Sequence, residues 1–228
     1  MSLPSAEEKF FIEIGTCDFD TYEHLAQQGW KGIFVEPVEE YLNKLERFDG
    51  CIYEKCAVLD TMSNMTMQLY DPEWAEGWRK GVGSLDLKFN IFNANNHIPE
   101  YKENTIEREV PVITLDYLIN KHNVTRIDAL KIDIEGLEYK ILDQYSWKIK
   151  PKTIVVEYVH WHNHDIEVGT YIKMFNLMGY ECSMDEENPV APSGQLIPKG
   201  THLFAQTSEG DHRTLNVGLW TACFFRNR

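Results

Sequence analysis

No stretch of this chain stays apolar for the roughly 20 residues that a helix needs to cross a bilayer. The N-terminal "MSLPSAEEKF" has neither a basic start nor a long apolar run, so it does not read as a secretory signal. Positive charge is scarce. Lys and Arg number 22 against 36 Asp and Glu, a formal net charge of −14. A surface that acidic repels phosphate backbones and anionic lipid, and no run of Lys and Arg is dense enough to reverse it. Neither nucleic acid nor membrane is therefore an expected partner. The 5 cysteines (Cys17, Cys51, Cys56, Cys182, Cys223) are odd in number and fit no zinc spacing. They read as reduced thiols in a cytoplasm-like compartment. Glycine-rich phosphate loops are missing as well: neither G-x-G-x-x-G nor the Gly-Lys-Ser/Thr signature occurs.

What is present is alternation. With 228 residues the chain is long enough for one α/β domain with a full core, and no linker divides it. Short apolar runs, "FFIEIG", "KGIFVEP", "CIYEKCAVLD", "IDALKIDIEG" and "KTIVVEYVHW", read as five strands. Helical patterns fall between them. "TYEHLAQQGW" ends at Gly29 and "VEEYLNKLERF" runs to Phe48; a further helix is capped near Thr114. "LEYKILDQYS" and "VGTYIKMFNLMGY" complete the set. "YECSMD", "THLFAQT" and "LWTACFFR" are the last strand candidates. This order predicts a mostly parallel sheet with helices on both faces. From Thr61 to Glu109 the rhythm fails: "NMTMQLY" alternates like an edge strand, and the rest is rich in Gly, Asn and aromatics. The expectation is one domain over 1–228 carrying an insertion, a lid or a hairpin, over about 61–109.

In such folds ligands bind beyond the carboxyl ends of the strands, where strand order reverses. Those ends are acidic. The first offers Glu13, Gly15, Thr16, Asp18 and Asp20, and the second ends at Glu36 before Pro37. The fourth presents Asp133 and Glu135, and the fifth Glu157, then His160 and His162. An acidic side chain about twenty residues after the first turn typically accepts the hydroxyls of a ribose. A ligand with a ribose, no phosphate and a positive charge suits the set, and S-adenosylmethionine has these properties.

The segments "FIEIGTCDFDT", "FVEPVEEYLNKL", "CAVLD", "VGSL", "VPVITLDYLI", "IDALKIDIEGLEYKIL" and "IVVEYV" resemble, in order, an FkbM-type methyltransferase. The resemblance runs from Phe10 to about Ala205, and its specific part is the "TLD…LKIDIEGLE" block. It implies the Rossmann-like class I fold: a mostly parallel seven-stranded sheet whose last strand is antiparallel, with helices on both faces. It also implies O-methylation of a hydroxyl on a sugar or small natural product. By the same resemblance Glu36 holds the ribose, Cys56, Ala57 and Val58 lie near the adenine, and Asp133 and Glu135 face the sulfonium and the acceptor. The family's first loop usually reads Asp-x-Gly-Ala-Asn-x-Gly. Here Glu13 stands at the Asp, Cys17 at the Asn and Phe19 at the second Gly, and Asp18 or Asp20 is available for the ammonium group.

Asp133, Glu135, Glu157 and His160 are candidates to remove the acceptor's proton, with Asp133 and Glu135 ranked first because they end a central strand, and His160 next because imidazole titrates near neutrality. Blander roles stand beside these. Glu36 can cap the next helix; Asp133 and Glu135 can cap the helix starting at Leu137, with Glu138 on its surface. Trp74, Trp78 and Phe92 can line a sugar-binding lid or form a small core, and Ser84 can touch substrate or simply turn the chain. His160, His162 and His164 would share one face of an extended strand and could meet at a metal, or be loop histidines; a divalent ion held by Asp133, Glu135 and a His is a related alternative. No metal ligands are assigned. The expected partner is a small-molecule or carbohydrate acceptor, and self-association into a homo-oligomer is compatible with the sequence.

Overall fold

The computed structural model describes residues 8–18, 22–87, 97–158, 160–184, 202–210, 216–217 and 220–221. Its centre is a seven-stranded sheet built from β1 (Phe10–Ile14), β2 (Lys31–Val35), β3 (Cys51–Glu54), β8 (Ala129–Ile132), β9 (Thr153–Glu157), β10 (Glu181–Met184) and β11 (His202–Gln206). The order across it is β10-β11-β9-β8-β1-β2-β3. Near-continuous apolar runs form the interior strands because both faces are covered. Ile12 lies opposite both Ile33 and Leu130, and Leu130 opposite Ile154, all in parallel register. Only β11 runs against its neighbours β9 and β10.

Strand alternation sorts the core into faces. On one face, Ile12, Ile14, Ile33, Val35, Leu130 and Ile132 pack in a cluster with three helices: α4 (Leu115–Lys121), α5 (Glu138–Gln144) and α6 (Val168–Leu177). On the other, Phe11, Phe34, Ala129 and Val155 pack with Leu25 and Ala26 of α1 (Glu23–Gln27) and with Leu42 of α2 (Glu39–Leu42). Helix α2 is shorter than its periodicity predicts. The Arg47 guanidinium takes the Leu42 carbonyl at 3.1 Å and lies over the Tyr53 ring at 4.0 Å. That arginine satisfies an end carbonyl and stops the helix, while Leu45 still reaches the core.

The predicted third strand divides. Cys51–Glu54 joins the central sheet, but β4 (Ala57–Val58) leaves it for a four-stranded sheet of order β4-β7-β5-β6. Here β7 (Thr105–Ile113) pairs parallel with β4 and antiparallel with β5 (Ser63–Tyr70), and β6 is Gly83–Ser84. The irregular stretch therefore supplies β5, β6 and the first half of β7 to this sheet, and "NMTMQLY" is flanked on both sides rather than lying at an edge. The short helix α3 (Pro99–Glu103) precedes β7, and a two-stranded hairpin, β12 (Asn216–Val217) with β13 (Trp220–Thr221), lies near the C-terminus. No described helix is long and apolar enough to cross a membrane.

The chain runs outward from β1 to β2 and β3, then returns to β8 on the other side of β1. The reversal opens a crevice at the carboxyl ends of β1 and β8. The face below it depends on Phe34, which has no exposed surface and sits 5.0 Å from the Phe11 ring and 5.2 Å from the Tyr53 ring. Phe34→Ala should cost about 3–5 kcal/mol in denaturant unfolding. A loss under about 1 kcal/mol would mean that this aromatic layer is not a packed core.

Candidate functional site

Strand β1 ends at Gly15 with φ +82°, a left-handed conformation, and its N–H donates to the Val35 carbonyl at 2.9 Å. A Cβ at this position would lie 1.7 Å from the Asp133 carbonyl oxygen. Only glycine allows the loops after β1 and β8 to touch. Two residues on, the Cys17 N–H donates to Glu36 Oε2 at 2.8 Å, and the Val38 N–H donates to Glu36 Oε1 at 2.9 Å. Gly15, Glu36 and Asp133 are thus drawn together around the switch point. Glu36 is 5 % exposed, and burial pushes its carboxyl up to about 7. It does close the turn into α2, and each of its oxygens keeps a second lone pair. Pro37 beside it is part-exposed, and Thr16 is buried. The Asp18 carboxylate, 3 % exposed, is ion-paired with Lys80 at 2.8 Å and Lys44 at 3.4 Å. Asp20 lies outside the described residues.

Glu13 is placed differently from the rest. It is fully buried in β1, accepting from the Tyr22 N–H at 2.5 Å and from Lys131 Nζ at 3.3 Å. Burial outweighs Lys131 and raises its carboxyl to about 7. It braces the entry to α1 from beneath the crevice. Cys56, Ala57 and Val58 are buried too, and burial raises the Cys56 thiol to about 12. Ala57 packs in the same cluster as Cys17 and Val38, beside the first loop.

The loop after β8 is shaped by a residue expected on a helix surface. Glu138 has no exposed area. Its Oε1 accepts from Ile134 N–H at 2.9 Å and Gly136 N–H at 3.1 Å, and its Oε2 from Trp161 Nε1 at 2.8 Å. No side chain caps α5, so Asp133 and Glu135 do not perform that duty. The inward turn of Glu138 wraps the loop instead. Burial raises its carboxyl to about 7. Glu135 adopts φ +62° and Gly136 φ +108°. A Cβ on Gly136 would meet the His160 Cβ at 2.8 Å, so this glycine lets His160 approach.

His160 Nε2 lies 3.3 Å from Glu135 Oε2, and that carboxylate holds the imidazole protonated above its ordinary range. The histidines do not share a strand face. Residues Trp161–His164 form a tight 3-10 turn, which sends His164 to Asp86 at 3.1 Å. The His162 side chain lies outside the described residues. Glu157 ends β9 beside this group, pushed well above the carboxylate range by burial and then by Asp133, Glu135 and Glu138. Lys131, buried in β8, lies 3.6 Å from Asp133 Oδ2. Sequence reading missed Lys131 and Glu138. The Lys131 signal was available: opposite charges in adjacent apolar runs, which the register sets side by side as Glu13 and Lys131.

Trp74 packs with Tyr70 and Tyr101 and beneath the Arg79 guanidinium, 4.3 Å away, forming the small core of the second sheet. Ser84 is buried and its Oγ accepts from the Asp86 N–H at 3.1 Å, so it turns the chain. The Trp78 side chain and Phe92 lie outside the described residues.

The site is thus a strand-order reversal in an α/β sheet, rimmed by the carboxyl groups of Glu36, Asp133, Glu135 and Glu157. Comparison gives the family: the model of the Methyltransferase FkbM domain matches residues 13–182, and the chain belongs to that family. No curated protein and no solved structure matches it.

Glu13, Glu36 and Glu138 each hold a proton more tightly folded than unfolded, between the ordinary value of 4.5 and about 7. The stability they contribute is complete below 4.5 and is lost as pH rises through that window. The melting temperature should fall across it, less steeply in Glu36→Gln; a rise would contradict the burial of these carboxyls. Glu135 bears a left-handed backbone that costs a non-glycine residue about 1–2 kcal/mol. Glu135→Gly should therefore leave the melting temperature unchanged or higher, despite loss of the His160 pair. A drop of more than about 1 kcal/mol in stability would make Glu135 a structural brace instead.

Proposed function

We propose that this protein is an S-adenosylmethionine-dependent O-methyltransferase acting on a hydroxyl of a sugar or other small molecule. The observation that carries this reading is the contact of Gly15 with Asp133 at the strand-order reversal, with Glu36 tied to the same loop. The donor set fits the cofactor. Carboxylates suit a ribose diol, a sulfonium and an ammonium, and they repel the pyrophosphate of a dinucleotide. When bound, the cofactor supplies a methyl group on positively charged sulfur.

The chain's own residues do the rest. Glu36 receives the ribose hydroxyls on its remaining lone pairs, with Ala57 and Val58 beside the base. Asp133 would face the positive groups, while Asp18 is already engaged by Lys44 and Lys80, and Gly15 leaves room for the ligand's approach at the end of β1. Aligning acceptor and methyl removes several kcal/mol of barrier. The acceptor's proton passes to a carboxylate at the end of β8, Asp133, a transfer worth about 10²–10⁴-fold. The strongly acidic surface keeps nucleic acid out of the acceptor role.

One feature favours a second reading, a module that binds the cofactor without turnover: Asp18 is ion-paired with Lys44 and Lys80. Calorimetry with S-adenosylmethionine and its demethylated product tests the first part of the proposal. Wild type should bind both, and Glu36→Ala should weaken binding about 10- to 100-fold while still giving a cooperative melt. Absence of heat with either compound overturns the reading. Binding with no methylated product across a panel of hydroxylated acceptors selects the second one.

A further inference from the structure

Glu157 is only part-exposed at the end of β9, and its Oε2 is cut off from solvent with no hydrogen-bond donor among the described residues. An enclosed carboxylate oxygen without a donor is costly, and it calls for a cation. The surroundings supply what would hold one. Donor atoms of Glu135, Glu157 and His160 all lie within 4.8 Å of one another. Within that set, His160 Nε2 and Glu135 Oε2 are already 3.3 Å apart. Neighbouring ligands on a divalent ion at about 2.1 Å are separated by roughly 3 Å, so the trio needs to close by at most about 2 Å. The backbone supports the same geometry. Glu135 is held at φ +62°, and Gly136 leaves the space through which His160 comes within reach. More carboxyl oxygens lie behind: Asp133, Glu138 and Glu157 also offer oxygens within 4.8 Å of one another. The nearby Lys131 ammonium is itself shared between Glu13 and Asp133.

We infer that Glu135, Glu157 and His160 form a binding site for a divalent metal ion on the acceptor side of the crevice. Two carboxylates with one imidazole suit Mn²⁺, which accepts both ligand types. Three protein ligands leave about three positions on an octahedral ion, enough for two neighbouring oxygens of an acceptor and a water. Such an ion would fix the acceptor hydroxyl and ease its deprotonation. This role for the ion rests on the methyltransferase reading, but the site itself does not.

Mn²⁺ alone is the probe. Titrated into the protein and followed by the paramagnetic resonance signal of the free ion, it should bind one per chain. Glu157→Gln, close in shape, and His160→Asn should each weaken it at least about tenfold. Thermal melts confirm that both variants fold, and calorimetry with the demethylated cofactor should give wild-type affinity in both. Two results overturn the site: no Mn²⁺ bound by wild type, or undiminished binding in both folded variants. If the demethylated cofactor binds while Mn²⁺ does not, the metal site falls and the methyltransferase reading stands. If Mn²⁺ binds and is lost in the variants while no cofactor binds, the site stands and that reading falls.

Discussion

The Glu138 carboxylate, sealed from water, gathers three N–H groups from two different loops. Two come from the backbone of Ile134 and Gly136 after β8, and the third from the Trp161 indole after β9. Each such hydrogen bond is worth about 0.5–1.5 kcal/mol net, and a donor left unmatched in the interior costs about 1–3 kcal/mol. The consequence is geometric. With its ends pinned, the loop after β8 has one shape, and that shape carries Asp133 and Glu135 at the crevice. Trp161, fully buried against Tyr171 and Tyr139, fixes the other end, so His160 beside it is oriented by the same anchor.

A second constraint works from the opposite side. Gly15 lies against the Asp133 carbonyl so closely that no side chain fits. The loops after β1 and β8 are therefore positioned by contact with each other as well as by the sheet. Glu36 extends that contact to β2 through Cys17. Three separate segments of sequence converge within a few ångströms, as expected where a doubly wound sheet reverses its strand order.

The central architecture was legible because it rests on local signals: apolar runs such as "TIVVE", helices ending at Gly29 and Gly179, and a cap at Thr114. Those features are set by neighbours in sequence. What was illegible depends on partners far away. The turning of Glu138 inward needs Trp161, which no helical periodicity reveals. The split of "CIYEKCAVLD" depends on β7, whose Val112 and Ile113 draw off Ala57 and Val58. Among the site residues, Glu36 and Asp133 could be placed because they end strands. Glu13 looked equivalent, yet its mid-strand register faces Lys131 instead. The sequence left the histidines open between a shared strand face and a loop, because extended and tight-turn backbones send alternate side chains in different directions, and only the fold decides between them.

The two larger sheets share no ladder among the described strands. Their coupling is by side chains: the cluster in which Cys17 and Leu137 from the site loops meet Leu69, Val110 and Val112, and ion pairs such as Arg108–Glu40 and Lys80–Asp18. Backbone hydrogen bonds therefore do not transmit a change in the second sheet into β1, β2 or β8. A change of length or shape in the connections between β5 and β7 is thereby decoupled from the register of β1, β2 and β8.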